Sequence, residues 1–317
     1  MSAGILAGIT WAIETIVLGI ALGMTPFVST EQAIFLAPFV STFLHDAFSA
    51  IWAAIYNGVR GKLPAVVRAL KTKSGRYVAL AAVIGGPIGM TGYVLSVNYM
   101  GTAIGAVASA VFPAIGSVLA YFFLKEKMQW YRWVFLILTL LGVYGLSYSP
   151  DIEIKNFMLG LIGTLMCAFG WGIEAVIVAK GMQDDAVTDE IALEIRQTTS
   201  ALVYGIILIP ILKGWGFTVN LFTSNTGWLI PTIAFAALFA TISYLFYYKA
   251  IAQIGASKAM ALNVTYSAWS IVFTVLILQD MSVLTPMTII CTLVVLVCGI
   301  FAAADYKEIF SVKKREK

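Results

Sequence analysis

Apolar residues run along this 317-residue chain in ten stretches of about twenty, each bounded by short polar or glycine-containing segments. A run of that length, wound as an α-helix, crosses a hydrocarbon core of ~30 Å. Within lipid a helix also satisfies its own backbone donors and acceptors. The pattern predicts helices over 4–24, 33–56, 77–97, 103–124, 133–148, 157–179, 191–212, 227–248, 259–278 and 285–304. The fifth is short, and the fourth and ninth follow tight turns at Gly101 and Gly255. The predicted fold class is an all-α integral membrane protein with ten transmembrane helices.

Composition removes the soluble alternative. Hydrophobic residues make up 60% of the chain and charged residues 11%, whereas soluble domains carry roughly 25% charged residues. The first apolar run has no basic segment before it and contains Glu14, so it reads as a membrane helix rather than a cleaved leader. Cys167, Cys291 and Cys298 lie inside apolar runs, and the last two are too far apart on one helix to bridge. With one histidine in the chain, neither a thiol–imidazole metal site nor a cofactor is expected.

The net charge of +4 matters less than its placement. If the N-terminus is cytoplasmic, the cytoplasmic segments hold most of the 20 lysines and arginines: the loop 57–76, Lys125, Lys127, Arg132, Lys180, Lys249, Lys258 and the tail from Lys307 to Lys317. The opposite loops hold only Lys155 and Lys213. That asymmetry predicts a multi-pass protein of the inner (plasma) membrane with both termini in the cytoplasm. The basic loop reads as a topology signal meeting lipid headgroups, not as a nucleic-acid surface.

The chain also repeats itself. Trp11-Ala12-Ile13-Glu14 in the first helix is echoed by Trp171-Gly172-Ile173-Glu174 in the sixth, and Gly92-Tyr93-Val94-Leu95 in the third by Ser243-Tyr244-Leu245-Phe246 in the eighth. Two halves of five helices, 1–150 and 151–317 with its short basic tail, account for both echoes. Because five is odd, the second half inserts upside down. Such inverted repeats place a solute site near the midplane, between the halves. A monomer or homodimer would suffice.

Ionisable side chains at bilayer depth cost about 2.5–3.5 kcal/mol each on insertion scales, so those retained there face the bundle interior or a cavity. Here they are Glu14, His45, Asp46 and Glu174, with Glu194 near a helix end and Arg196 within the seventh helix. Glu194 and Arg196, two residues apart, point to different faces and pair with neighbouring helices. Trp11 with Glu14, and Trp171 with Glu174, are spaced i and i+3 and share a helix face. The ninth helix adds Tyr266 and Trp269 at the same spacing, the eighth Tyr244, Tyr247 and Tyr248, and the third Tyr93. Aromatic faces with a carboxylate suit a desolvated cation, above all a quaternary ammonium, which has no N–H to donate. His45 and Asp46 read equally as a proton relay, a solute contact, a gate or a packed polar pair. Trp52, Trp130, Trp133, Trp215 and Trp228, near helix ends, read as an interfacial belt. Pro87 and Pro113 mark possible helix breaks beside a cavity.

Several stretches resemble the EamA branch of the drug/metabolite transporter superfamily, and within it bacterial choline transporters of the LicB type. They are His45-Asp46, Gly85-Gly86-Pro87-Ile88-Gly89-Met90, Phe122-Phe123-Leu124-Lys125, Trp171 with Glu174, Ile195-Arg196-Gln197, Ser243-Tyr244-Leu245, Gly255 to Asn263, and Trp269. The resemblance implies choline import by alternating access, coupled to protons as a symport. Trp11, Trp171, Tyr244 and Trp269 would wall an aromatic cage and Glu174 would balance the solute charge. Glu14 departs from that pattern and adds a second acid. Efflux of cationic drugs or amino acids is the alternative within the class. A membrane enzyme is disfavoured, because no clustered nucleophiles, metal-ligand spacing or G-x-S-x-G are present.

Overall fold

Ten helices long and apolar enough to cross a membrane occur in the computed structural model, which describes residues 1–148, 154–224 and 226–304, the side chains of 102 and 103 excepted. They are α1 (Ser2–Leu22), α2 (Glu31–Val59), α3 (Lys73–Met100), α4 (Ile104–Phe123), α5 (Trp130–Ser147), α6 (Phe157–Gly181), α7 (Asp189–Ile211), α8 (Leu229–Ile254), α9 (Ala256–Leu278) and α10 (Pro286–Ala303). Each matches one predicted apolar run. Helices α2, α3 and α8 reach beyond their runs, because helical hydrogen bonding continues into segments where hydropathy no longer signals it. The expected boundary between halves at residue 150 and the basic tail 305–317 lie outside the described residues.

Helix pairing follows the repeat. Helix α1 packs on α8 as α6 packs on α3; α1 meets α9 as α6 meets α4; α2 meets α8 as α7 meets α3. Counterparts α2 and α7, α4 and α9, and α5 and α10 pack directly on each other. Replacing each helix by its equivalent five places on leaves these pairings unchanged, as an inverted repeat requires. The short connections repeat too. Nine-residue surface helices, Leu63–Lys71 and Trp215–Thr223, follow α2 and α7. The tight turns before α4 and α9 are made by Gly101 and Gly255 at φ +86 and +89, a region open to glycine at little cost.

Small residues let the backbones of the two halves approach. A Cβ added at Gly92 of α3 would lie 2.6 Å from the Cys167 amide nitrogen and 2.7 Å from the Gly163 carbonyl oxygen of α6. Beside that contact Ser96 and Thr164 hydroxyls bond at 2.9 Å. With lipid offering no hydrophobic drive between helices, such close packing and polar contacts hold them together.

Three irregularities matter for the interior. Pro87 sits in a π-helical turn, Ile84–Gly89, within α3, and a second such turn spans Tyr204–Leu208 of α7. Helix α9 is interrupted between Asn263 and Tyr266. Pro113 leaves α4 unbroken. Of the interfacial tryptophans, Trp130 and Trp228 are strongly exposed. Trp52 and Trp215 instead donate Nε1 to the carbonyls of Ala234 (3.0 Å) and Gly205 (3.1 Å).

Candidate solute-binding site

A cavity of about 360 Å³ lies between the halves, lined by residues of α1, α2, α3, α4, α6, α7, α8 and α9. It opens at one end of the bundle, where the exposed Thr15 and Gly19 of α1 line its wall beside Pro38 and Ser41 of α2. The opposite end is packed shut. There Gly4 and Gly8 of α1 lie directly against Leu262 and Thr265, and Ser243 of α8 donates to the Ala7 carbonyl at 2.8 Å.

Of the eight rings lining the cavity, six fall in two groups related by the repeat. Trp11 of α1 meets Tyr244 of α8 edge-on at 5.1 Å and Tyr266 of α9 at 6.3 Å. Trp171 of α6 stacks on Tyr93 of α3 at 6.2 Å and meets Phe112 of α4 edge-on at 6.0 Å. The Trp171 ring is fixed by its Nε1, which donates to the Gly85 carbonyl at 2.9 Å in the π-helical turn of α3. That turn re-aims the carbonyl toward the cavity wall, as π-turns at functional sites often do. Tyr247 and Tyr248 close the floor, with Tyr248 5.8 Å from Tyr244.

Each half also sets an acid of its first helix beside a basic side chain from the next helix. Glu174 Oε1 accepts from Arg196 Nε at 2.8 Å. Arg196 Nη1 lies 3.4 Å from Asp46 Oδ2 and donates to Gln197 Oε1 at 2.6 Å. The guanidinium stands 4.8 Å from the Tyr244 ring centroid. Asp46 Oδ2 further accepts from Ser200 at 2.6 Å. On the other side, His45 spans two acids, with Nδ1 3.1 Å from Asp46 Oδ1 and Nε2 3.2 Å from Glu14 Oε1. The Glu14 contact is close but not aligned as a hydrogen bond. All five charged side chains are nearly inaccessible. Three acids against Arg196 and a protonated His45 leave one negative charge, and against a neutral His45 two. With all three acids ionised, the interior is short of positive charge in either case.

The structure brings together nine of the ten residues singled out from sequence: Trp11, Glu14, His45, Asp46, Tyr93, Trp171, Glu174, Tyr244 and Tyr247. Trp269 is not among the lining residues. It lies one turn beyond Tyr266, half-buried, with its ring against Phe273 at 6.4 Å. Tyr266, rather than Trp269, lines the cavity. Glu174 differs from expectation as well, since Arg196 already neutralises it. Phe112 escaped notice, although it stands where Tyr266 stands in the other half. Tyr248 Oη and Asn263 Oδ1, on residues that line the cavity, are themselves buried and have no hydrogen-bond partner among the described residues.

The EamA-like transporter family model matches residues 1–148. Protein LicB of Haemophilus influenzae is 31% identical over 229 residues, 72% of this chain and 75% of that protein. An S-adenosylmethionine uptake transporter of Rickettsia bellii is 24% identical over 215 residues, 67% of this chain and 70% of its own. A solved crystal structure has the same fold, with a TM-score of 0.67 at 14% identity over 95% of this chain and 96% of its own.

Proposed function

This chain belongs to the EamA-like transporter family, and we propose that the solute it carries is choline or a closely related quaternary ammonium. It is a multi-pass membrane transporter rather than an enzyme. In this reading the halves 1–150 and 151–317 rock about the cavity, taking the cation inward across the inner membrane with a proton. Both termini are cytoplasmic, as the lysine and arginine asymmetry favours, so the cavity is open to the outside.

The observation that carries the reading is the pairing of an aromatic wall with an interior short of positive charge. A trimethylammonium group cannot replace its water with hydrogen bonds, but ring faces attract it by about 2 kcal/mol or more once desolvated. Trp11 and Tyr266 form the wall on the Glu14 side. Arg196 takes up Glu174 and part of Asp46, so Glu14 becomes the solute's countercharge, with His45 as the proton carrier between Glu14 and Asp46.

A thermal-shift screen of the purified protein against choline, betaine, carnitine and amino acids tests this. A ligand that binds only the folded state raises the midpoint. Choline should raise it most, and its labelled form should exchange by counterflow in proteoliposomes, with uptake driven by an inward proton gradient. Stabilisation by neutral amino acids alone would point to the efflux alternative. A second reading, favoured by the Rickettsia relative, is a sulfonium solute such as S-adenosylmethionine. Its sulfur also carries positive charge without an N–H, and it belongs in the same screen.

A further inference from the structure

Two contacts between the halves latch the closed end of the bundle. In the first, Lys62, just after α2, forms an ion pair with Glu190 in the first turn of α7, and Arg60 Nη2 lies 3.8 Å from the same carboxylate. In the second, Glu126, just after α4, takes the first amides of α9 across the divide. Its Oε1 accepts from Ala256 N at 2.8 Å and its Oε2 from Ser257 N at 3.0 Å. A carboxylate there satisfies orphan donors and complements the positive end of the helix.

Both latches have counterparts at the open end, because the fold repeats upside down. Lys213 follows α7 and precedes a nine-residue surface helix, as Lys62 follows α2. Glu31 opens α2 after Thr30 as the one acid of its first turn, and Asp189 and Glu190 are the first-turn acids of α7 after Thr188. Yet Glu31 and Lys213 form no ion pair among the described residues. Lys213 lines an open cleft with Thr30 and Gln32, which flank Glu31 in sequence, and Asn220 of the surface helix. The second latch repeats still more closely. Leu124-Lys125-Glu126 ends α4 with Lys125 at φ 58, and Leu278-Gln279-Asp280 ends α9 with Gln279 at φ 55. Gly101 precedes α4 as Gly255 precedes α9. A Cβ at Gly255 would meet the Glu126 carboxylate at 2.9 Å, whereas one at Gly101 would meet nothing within 4 Å. Asp280 instead accepts from its neighbour Ser282, by N at 2.9 Å and Oγ at 2.6 Å.

We propose that Lys213 with Glu31, and Asp280 with the first amides of α4, form the outer gate, closing when the inner latches open. The rocking motion then exchanges one pair of bonds for its mirror pair at the other end. Neither state has to bring a new charge out of water unpaired, which keeps the two states close in energy.

The test uses the full chain with Cys167, Cys291 and Cys298 replaced by Ala. Gly19→Cys places a thiol at the cavity mouth, where an added side chain meets nothing within 4 Å. It is labelled in intact cells with a membrane-impermeant maleimide, a readout that needs no solute. Glu126→Gln with Glu190→Gln should lower that labelling severalfold, by favouring the inward-open state. Asp280→Asn, at an exposed position, should raise it and slow choline turnover with little change in choline affinity. A Glu31→Cys, Lys213→Cys pair should be joined by a short bis-maleimide faster when choline is supplied, and joining it should stop uptake. Unchanged labelling in both sets of variants would overturn the proposal. So would a Cys pair that never joins in protein that still transports. Failure of choline alone, with the labelling shifts intact, would overturn the solute and leave the gate standing.

Discussion

Arg196 Nε donates to Glu174 Oε1 at 2.8 Å, and the same guanidinium faces Asp46 across 3.4 Å. The acid on α6 therefore comes with a permanent cation, whereas its equivalent on α1, Glu14, has only the imidazole of His45. The repeat is symmetric in its rings and asymmetric in its charges. In the proposed reading, that asymmetry leaves the Glu14 side to receive the solute.

Removing the guanidinium would strand two buried carboxylates. Breaking a buried ion pair from one side costs roughly 3–5 kcal/mol. Arg196→Gln should therefore lower the thermal midpoint in detergent far more than Glu174→Gln, which leaves Arg196 facing Asp46. Arg196→Lys should fall between them, because a point charge cannot span both acids as the planar fork does. Equal losses for Arg196→Gln and Glu174→Gln would contradict this division of roles.

Glu14→Gln keeps the shape of the side chain and removes its charge. Choline affinity measured by calorimetry should fall tenfold or more, ~1.4 kcal/mol for each tenfold, while the thermal midpoint moves little. An unchanged dissociation constant would mean that another acid balances the solute.

Of the three tryptophans assigned to the cage from sequence, Trp11 and Trp269 should part company. Trp11→Ala removes a wall that contacts Tyr244 and Tyr266 and should abolish most choline uptake. Trp269→Ala, outside the cavity, should leave uptake near the level of the unaltered protein. Uptake of labelled choline by cells producing equal amounts of each variant separates them, and similar losses would argue against the cavity as the path.

Gly92→Ala should interfere with folding rather than binding. Its methyl group would meet backbone atoms of α6 at 2.6 and 2.7 Å, and neither helix can yield without parting from the other. Gel filtration should find little monodisperse protein, whereas Gly19→Ala should behave like the unaltered chain.

Much of this was legible in the residues, for identifiable reasons. Lipid demands long apolar helices, so ten runs became ten helices. It also makes every buried charge costly, so Glu14, His45, Asp46 and Glu174 stand out in the sequence. The partners of those charges were less legible. Arg196 was visible as a cation within α7, but that it reaches α6 and α2 together depends on how three helices converge. The choice between Tyr266 and Trp269 could not be made from spacing, since i and i+3 share a face. Both lie in one helical segment, Tyr266–Leu278, and which of them lines the cavity depends on how the neighbouring helices pack around it.

His45 is the sole imidazole in the chain, and it lies between Glu14 and Asp46 at the point where solute and proton would meet. Ring-labelled histidine would therefore place one spin system in the whole molecule, inside the transport path. Its tautomer and charge could be followed by nuclear magnetic resonance through a titration with solute, with no competing signal to assign.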